Sequence, residues 1–342
     1  MALSLQHGAA LGAAALGLAA GILLAPAGIL PAHGSAAPAR AAPLGSEAQC
    51  ARYAGLPAGW GSDAHAGMVH IGAGSFLFGS EHGYPDERPA AQRKTRIGGF
   101  WMDQTEVTVA QFAAFVQATG YVTEAERQGG AVVFHQPGAE ELQQRPYAWW
   151  RFVKGADWRH PEGPGSAAAD RSNRPVTLVT EADALAYARW LGRDLPTEAE
   201  WEYAGKAGRD GPGLDAAPVD VQGKPLANYW QGMFPVYDAK ADGHDGLAPV
   251  GCYAPNPFQL FDMIGNAWEW TRDPYTGARQ PHANGDTAAV AARSANQPMV
   301  IKGGSFLCSP DYCVRYRASA RESQERDLAA SHIGFRTVLR DE

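Results

Sequence analysis

Two cysteines, Cys308 and Cys313, stand five positions apart in Gly303-Gly304-Ser305-Phe306-Leu307-Cys308-Ser309-Pro310-Asp311-Tyr312-Cys313. If Ser309-Pro310-Asp311-Tyr312 makes a turn, the two sulfurs converge and can share one metal ion. Two thiolates alone suit a soft monovalent ion such as Cu(I), which accepts few ligands. A structural zinc site needs about two further ligands, and no second Cys or His cluster with suitable spacing is visible in the sequence. A short-loop disulfide, stabilising by roughly 2 kcal/mol in the chain-entropy model, and two inert buried thiols are the other readings. The spacing by itself leaves all of these open.

A second candidate is acidic. Asp238, Asp242 and Asp245 fall within eight residues, interspersed with Gly243 and Gly246. Such a loop can wrap Ca²⁺ with carboxylate and backbone oxygens, but its spacing departs from the EF-hand, and composition alone favours a solvated acidic loop. The sequence carries no Walker loop, no Gly-x-Ser-x-Gly elbow and no His-Glu-x-x-His. Its formal charge of -7 and lack of a Lys/Arg cluster leave nothing to neutralise a phosphate backbone, so nucleic acid is not an expected partner.

These residues need a scaffold, and 40 Gly and 24 Pro in 342 residues imply a loop-rich one. From Met68 the chain shows short alternating apolar segments, as strands do. Helical spacing marks Thr108 to Thr119 and Thr180 to Leu191, and a short helix is expected from Thr197, where Thr197 and Glu200 fit a capping box. The elements interleave without a βαβ rhythm, which predicts a single irregular α+β domain over 67–340. The ten Trp, with Trp149-Trp150 and Trp268-Glu269-Trp270 among them, read first as core packing and second as a surface for an extended peptide. Residues 1–39 hold an apolar stretch from 8 to 31 and an Ala37-Pro38-Ala39 triplet like a signal-peptidase site. The expectation is an exported protein, with an uncleaved membrane anchor as the alternative. Residues 40–66 read as linker. Four Cys are too few for a disulfide scaffold, so the core is expected to hold without staples. Cys50, in or near the linker, and Cys252 are expected to be a tail thiol and a buried thiol, with a disulfide between them as the lesser alternative.

Several runs resemble the formylglycine-generating enzymes, or sulfatase-modifying factors: Trp101-Met102-Asp103 with Glu106-Val107, Trp158-Arg159-His160-Pro161-Glu162-Gly163-Pro164, Leu195 to Tyr203, Ala227-Asn228-Tyr229-Trp230-Gln231-Gly232, Gly265-Asn266-Ala267-Trp268-Glu269-Trp270, the double-Cys segment and Gly334-Phe335-Arg336. The resemblance implies a compact α+β domain related to C-type lectins. It implies that Cys308 and Cys313 bind Cu(I), and that a sulfatase cysteine in a Cys-x-Pro-x-Arg peptide, presented unfolded, joins them as a third thiolate. Molecular oxygen and a thiol reductant then complete its conversion to formylglycine. Ser305 and Tyr312 match polar residues beside the metal, and Trp268 an aromatic wall of that pocket. Calcium is implied at two places: Asn228, Tyr229, Asp242 and His244, with Tyr229 and His244 acting through the main chain, and Asp262, Gly265, Ala267 and Glu269, with Gly265 and Ala267 doing so. The resemblance leaves room for an oxidase of another exported substrate and for a non-catalytic lectin-like binding module.

The chain also departs from the family pattern. The positions of two disulfides in animal members carry Ala188 with Thr337 and Gly205 with Ala318. Ser309-Pro310 replaces a His-rich or charged start to the inter-cysteine turn, and His332 stands where Asn is common. These last positions border the expected pocket and bear on which peptide it reads.

Overall fold

A computed structural model describes residues 44–89, 94–277 and 297–341. The expected signal or anchor, residues 1–39, lies outside them. Among the described residues no helix is long and apolar enough to cross a membrane. Helix α1 (Glu47–Cys50) precedes strands β1 (Met68–Ile71), β2 (Gly74–Phe76), β3 (Thr95–Ile97) and β4 (Phe100–Asp103). Helices α2 (Val109–Thr119) and α3 (Glu124–Gln128) lead into β5 (Gly130–Phe134), α4 (Ala139–Gln144) and β6 (Trp150–Lys154). After α5 (Glu181–Trp190) and α6 (Glu198–Gly205) come β7 (Gly232–Met233), β8 (Tyr237–Asp238), β9 (Trp268–Pro274), β10 (Met299–Lys302), β11 (Arg321–Gln324), β12 (Ile333–Gly334) and β13 (Val338–Arg340).

The three helices expected from the sequence, α2, α5 and α6, begin where it places them, and α1, α3 and α4 are additional. Thr108, Thr180 and Thr197 each cap a helix with a side-chain oxygen that accepts from the backbone N–H three residues on, at 3.2, 3.3 and 3.1 Å. Gln111, Asp183 and Glu200 return the bond to the cap residue's own N–H, so two otherwise orphaned donors are satisfied at each start. The strands form a three-stranded sheet in the order β1-β4-β13, a four-stranded sheet in the order β11-β10-β9-β12, and three two-stranded ribbons. Only short stretches are regular, as the Gly and Pro content implies.

Strand β9 divides the interior. Trp268 and Trp270 point to one side, into an apolar cluster that also contains Phe112, Tyr187, Phe335 and Cys308. Glu269, on the opposite face by strand alternation, meets Trp201, which belongs to the second cluster with Phe76, Phe100 and Met102. Arg336 clasps Glu269 with two bonds of 2.7 Å, Nε to Oε2 and Nη2 to Oε1. Its other donors reach the carbonyls of Asp103, Gln104 and Phe261 at 3.2, 3.3 and 3.0 Å, and Trp201 Nε1 donates to Glu269 Oε2 at 2.7 Å. Both charged side chains are excluded from water. Such a pair survives burial only when its remaining donors and lone pairs are also satisfied.

The expectation of an unstapled core is corrected by a disulfide between Cys50 and Cys252. The stretch read as linker is folded from Leu44 onward. Gly45 N–H donates to Gly251 O at 2.7 Å, Asn173 Nδ2 to Cys50 O at 2.9 Å and Arg193 Nη2 to Ala64 O at 2.7 Å, while Tyr53 is buried. Cys50 is therefore docked rather than in a tail. A crosslink between residues 202 positions apart restricts the unfolded chain strongly, by roughly 5 kcal/mol in the chain-entropy model.

Replacing Arg336 by Met strands Glu269 as an uncompensated buried charge. We expect a loss of about 3–5 kcal/mol in urea unfolding, and an unchanged midpoint would show that the pair does not hold β9 in place.

Candidate functional site

The inter-cysteine segment does turn. Cys313 N–H donates to Ser309 O at 3.0 Å, Ser309 N–H to Cys313 O at 3.1 Å and Cys308 N–H to Ser305 O at 3.0 Å. The Ser309 hydroxyl, buried, binds the Asp311 carboxylate, which is how this Ser-Pro start closes its turn. The two sulfurs come to 3.7 Å, both as free thiols. That is too long for a disulfide and suited to two donors of one soft ion, so the donor set fits Cu(I). Cys308 is buried, and burial, reinforced by neighbouring Cys313, pushes its thiol well above the ordinary range. Cys313 is pulled the other way, chiefly by the hydrogen bond from Cys308 and also by the Arg315 charge. The pair is thus asymmetric, with the sulfur more readily deprotonated on the more exposed partner.

Around this turn the sequence-predicted residues distribute unevenly. Ser305 is fully buried, and its Oγ accepts from Leu307 N–H at 3.3 Å. Trp268 shares the buried cluster of Cys308, and its N–H donates to His332 O at 2.9 Å. Tyr312 instead faces outward, 51% exposed, and stacks on Phe234 with ring centroids 4.7 Å apart. Phe234 continues to Trp149 at 5.5 Å, Trp230 at 5.3 Å and Phe134 at 6.1 Å. An aromatic wall therefore rises directly beside the dithiol; Trp149 and Trp230 are buried in it, as the core reading of the tryptophans expects, and Tyr312 is its exposed ring. Trp230 N–H donates to Cys308 O at 2.9 Å, which ties the wall to the turn. His332 packs its ring 4.6 Å from Trp150. Its Nδ1 is buried without a partner among the described residues, and burial lowers its pKa to about 3, so it is a neutral imidazole.

The two acidic sets differ. In the first, Asp242 accepts from Tyr229 N–H at 3.2 Å and His244 N–H at 3.0 Å, and Asn228 Nδ2 donates to Gly246 O at 2.9 Å. Gln231 stands between the oxygens. Its amide nitrogen donates to Tyr229 O and to Asp242 Oδ2, while its oxygen accepts from Asp242 N–H at 3.0 Å. The amide does there what a cation would do, and an ion needs Gln231 to turn aside. In the second set, Asp262 accepts from Gly251 N–H at 2.6 Å, and burial raises its carboxyl to about 6. Beside it is Glu106, whose Oε1 accepts from Asn266 Nδ2 at 2.9 Å and whose Oε2 is buried with no partner among the described residues. Burial, then the charge of Asp262, raise Glu106 well above the carboxylate range; Arg336 opposes them and Glu269 adds to them. Three buried carboxylates facing one guanidinium leave negative charge over, in a hard-oxygen setting that suits Ca²⁺. Among the described residues no three His, Cys, Asp or Glu side chains converge to hold an ion by themselves, so main-chain oxygens would have to complete the shell.

Residues 57–341 match the family described as the sulfatase-modifying factor enzyme 1-like domain. The chain belongs to this family. It is 44% identical over 285 residues to the formylglycine-generating enzyme of Thermomonospora curvata, covering 79% of this chain and 92% of that protein. It is 40% identical over 319 residues to the formylglycine-generating enzyme of Mus musculus, covering 89% and 84%. Among solved structures, PvdO from Pseudomonas aeruginosa matches with a TM-score of 0.57 at 23% identity, over 81% of this chain and 95% of that one, a likeness of fold. Of the two positions aligned with animal disulfides, Gly205 and Ala318 are neighbours, a Cβ built on Gly205 lying 3.2 Å from that of Ala318.

Glu106 was visible only as part of a family motif. No local signal marks an orphaned carboxylate oxygen. Gln231 was likewise visible only within a family motif, and Phe234 and Arg315 were reached only through tertiary contacts. The asymmetry of the two sulfurs is testable in metal-free protein. Brief iodoacetamide treatment at neutral pH should label Cys313 first by peptide mass spectrometry, and equal labelling of Cys308 would remove the asymmetry.

Proposed function

We propose that this chain is a copper-dependent oxidase that converts a cysteine of a sulfatase polypeptide to formylglycine. The observation that carries the reading is the free pair Cys308/Cys313 at 3.7 Å, set in a chain 44% identical to a formylglycine-generating enzyme. Cys308 and Cys313 would hold Cu(I), which when bound supplies one-electron and oxygen chemistry. The overall change balances as cysteine plus molecular oxygen plus two electrons and two protons giving the aldehyde, hydrogen sulfide and water. Two thiols of an external reductant, becoming a disulfide, supply the electrons and protons.

What the chain's own residues contribute is position and exclusion. The half-exposed Tyr312, backed by the stacked Phe234 ring, offers a flat apolar face on which the prolyl ring of a Cys-x-Pro-x-Arg peptide can lie. Trp268 and Ser305, buried under the turn, fix Cys308 from behind and keep bulk water from that side. The peptide must be unfolded at this point, because its cysteine has to reach a sulfur pair of which Cys308 is buried. The Cys50–Cys252 disulfide supports an exported location, where such bonds persist.

Mature protein supplied with Cu(I), molecular oxygen, a thiol and a Cys-x-Pro-x-Arg peptide should produce the mass decrease of thiol-to-aldehyde conversion. Cys308→Ser and Cys313→Ser should each abolish it. Bound copper without conversion would overturn the assignment, and variants that keep full function would favour a non-catalytic binding module.

We also propose that Asp262, Glu269 and the main chain at Gly265 and Ala267 hold Ca²⁺, with Glu106 as a neighbouring or added ligand and a structural role for the ion. In the metal-free fold Asp262 keeps its proton up to about pH 6, whereas unfolded it ionises near about 4. Its contribution is then fully present below about pH 4 and lost as pH rises through about 6. The gain in Tm on adding Ca²⁺ to chelator-treated protein should accordingly be larger at about pH 7.5 than at about pH 5, and a gain independent of pH would count against the site.

A further inference from the structure

A cation near the dithiol has no part in this chemistry. A cavity of about 210 Å³ is lined by Val133, Phe134, Trp158, Phe306, Arg171 and Arg174. Arg171 is paired with Glu162 at 2.9 Å, and Asp245, at the same cavity, with Lys240 at 2.7 Å. Arg174 is half-buried, and among the described residues its guanidinium makes no hydrogen bond or ion pair. Burial and the adjacent Arg171 charge press its pKa downward from the usual guanidinium value, against the opposing pull of Glu162 and Asp245 at the same cavity, and those two carboxylates are already paired with Arg171 and Lys240. A guanidinium in such a setting presents a fork that matches a carboxylate, and the aromatic and aliphatic walls favour apolar carbons behind that head group.

The cavity is continuous with the aromatic wall. From Tyr312 the rings run to Phe234, to Phe134 and to Phe306 in steps of 4.7, 6.1 and 6.3 Å, and the last two rings line the cavity. At most about five residues of extended chain cover that path, and Phe306 is itself two residues from Cys308.

We propose that this pocket binds a carboxylate borne on apolar carbons, with Arg174 as its anchor, and that in the client polypeptide it receives an acidic side chain within about five residues of the reacting cysteine. The second half rests on the formylglycine reading; the first does not. A free monocarboxylate of similar size has the same chemistry.

The first arm uses the full chain without copper or oxygen, so its failure is distinct from failure of the oxidase reading. 3-Phenylpropionate is titrated against tryptophan fluorescence, Trp158 being in the wall, beside 3-phenylpropionamide as the uncharged control. Saturable binding of the acid, at least tenfold weaker for the amide and for Arg174→Gln, supports the pocket. Equal affinity for acid and amide, or binding untouched by the substitution, overturns it. Should Arg174→Gln not fold, Arg174→Lys is used, with weakened but still carboxylate-selective binding as the supporting result and unweakened binding as the overturning one. The second arm compares Cys-x-Pro-x-Arg peptides carrying Glu or Gln at three to seven residues from the cysteine. An approximately tenfold higher kcat/KM for Glu at one of these positions within about five residues of the cysteine, in the unsubstituted chain and not in the Arg174 variant, supports an acidic client side chain. Binding of 3-phenylpropionate with no effect of Glu at any position overturns the client half and assigns the pocket to a free carboxylate.

Discussion

A guanidinium and a carboxylate leave water together at a cost that only a complete set of hydrogen bonds offsets, and the clasp of Arg336 on Glu269 is where this domain meets that condition. Five segments supply the partners: the end of β4 at Asp103 and Gln104, the loop at Phe261, α6 through Trp201, β9 itself and the chain just before β13. None of them is long enough to be stable alone. Because the pair forms only when all five are in register, it converts a collection of short elements into one cooperative body. It also fixes the two faces of β9, placing Trp268 and Trp270 in one apolar cluster while Glu269 meets Trp201 of the other.

The reactive turn hangs from this arrangement. Between β10 and Ser305 the chain passes through Gly303 and Gly304, both at positive φ, 95° and 79°. A Cβ on Gly303 would press on the Trp201 ring at 3.0 Å, and one on Gly304 would meet the Arg315 carbonyl oxygen at 2.6 Å. Two glycines therefore let the backbone slip past the ring that also donates to Glu269. The turn is then pinned at its far end, where Arg315 meets Asp86, Glu87 and Glu322 at 3.1–3.3 Å and covers the Tyr84 ring at 4.5 Å. The position of the two sulfurs is inherited from the interior rather than made by the turn alone.

This explains what could be read in advance. Helix starts were legible because a capping box is local: Thr197 and Glu200 need only each other and the intervening backbone. The dithiol was legible as a pair but not as chemistry, since spacing cannot distinguish a shared ion from a disulfide until the turn's hydrogen bonds fix the sulfur separation. Family resemblance closed most of that gap, carrying fold and expected activity together. What stayed hidden depended on contacts far apart in sequence. Glu106 meets Asn266 across 160 positions, Arg174 shows its lack of a partner only once its surroundings are assembled, and Cys50 lies just past an Ala/Pro-rich stretch whose texture gives no hint that the chain has begun to pack.

That last residue changes how the sulfur chemistry must be understood. The chain carries one oxidised pair and one reduced pair, and the proposed reaction needs a thiol reductant in contact with both. Equilibrium preference is not enough to protect the disulfide, because thiol exchange proceeds wherever a thiolate can reach a sulfur. Access separates the two. Cys50 is fully buried and Cys252 is 7% exposed, behind the backbone bond of Gly45 to Gly251 and the bond from the Asn173 side-chain amide to Cys50 O. Cys313, nearer the surface with its thiol shifted toward the thiolate, is the sulfur an external thiol meets first. The same reductant can thus keep the dithiol open while leaving the crosslink intact. The crosslink in turn holds Gly251, whose N–H binds Asp262, so the staple steadies the acidic cluster beneath the very strand that carries Trp268 toward the turn.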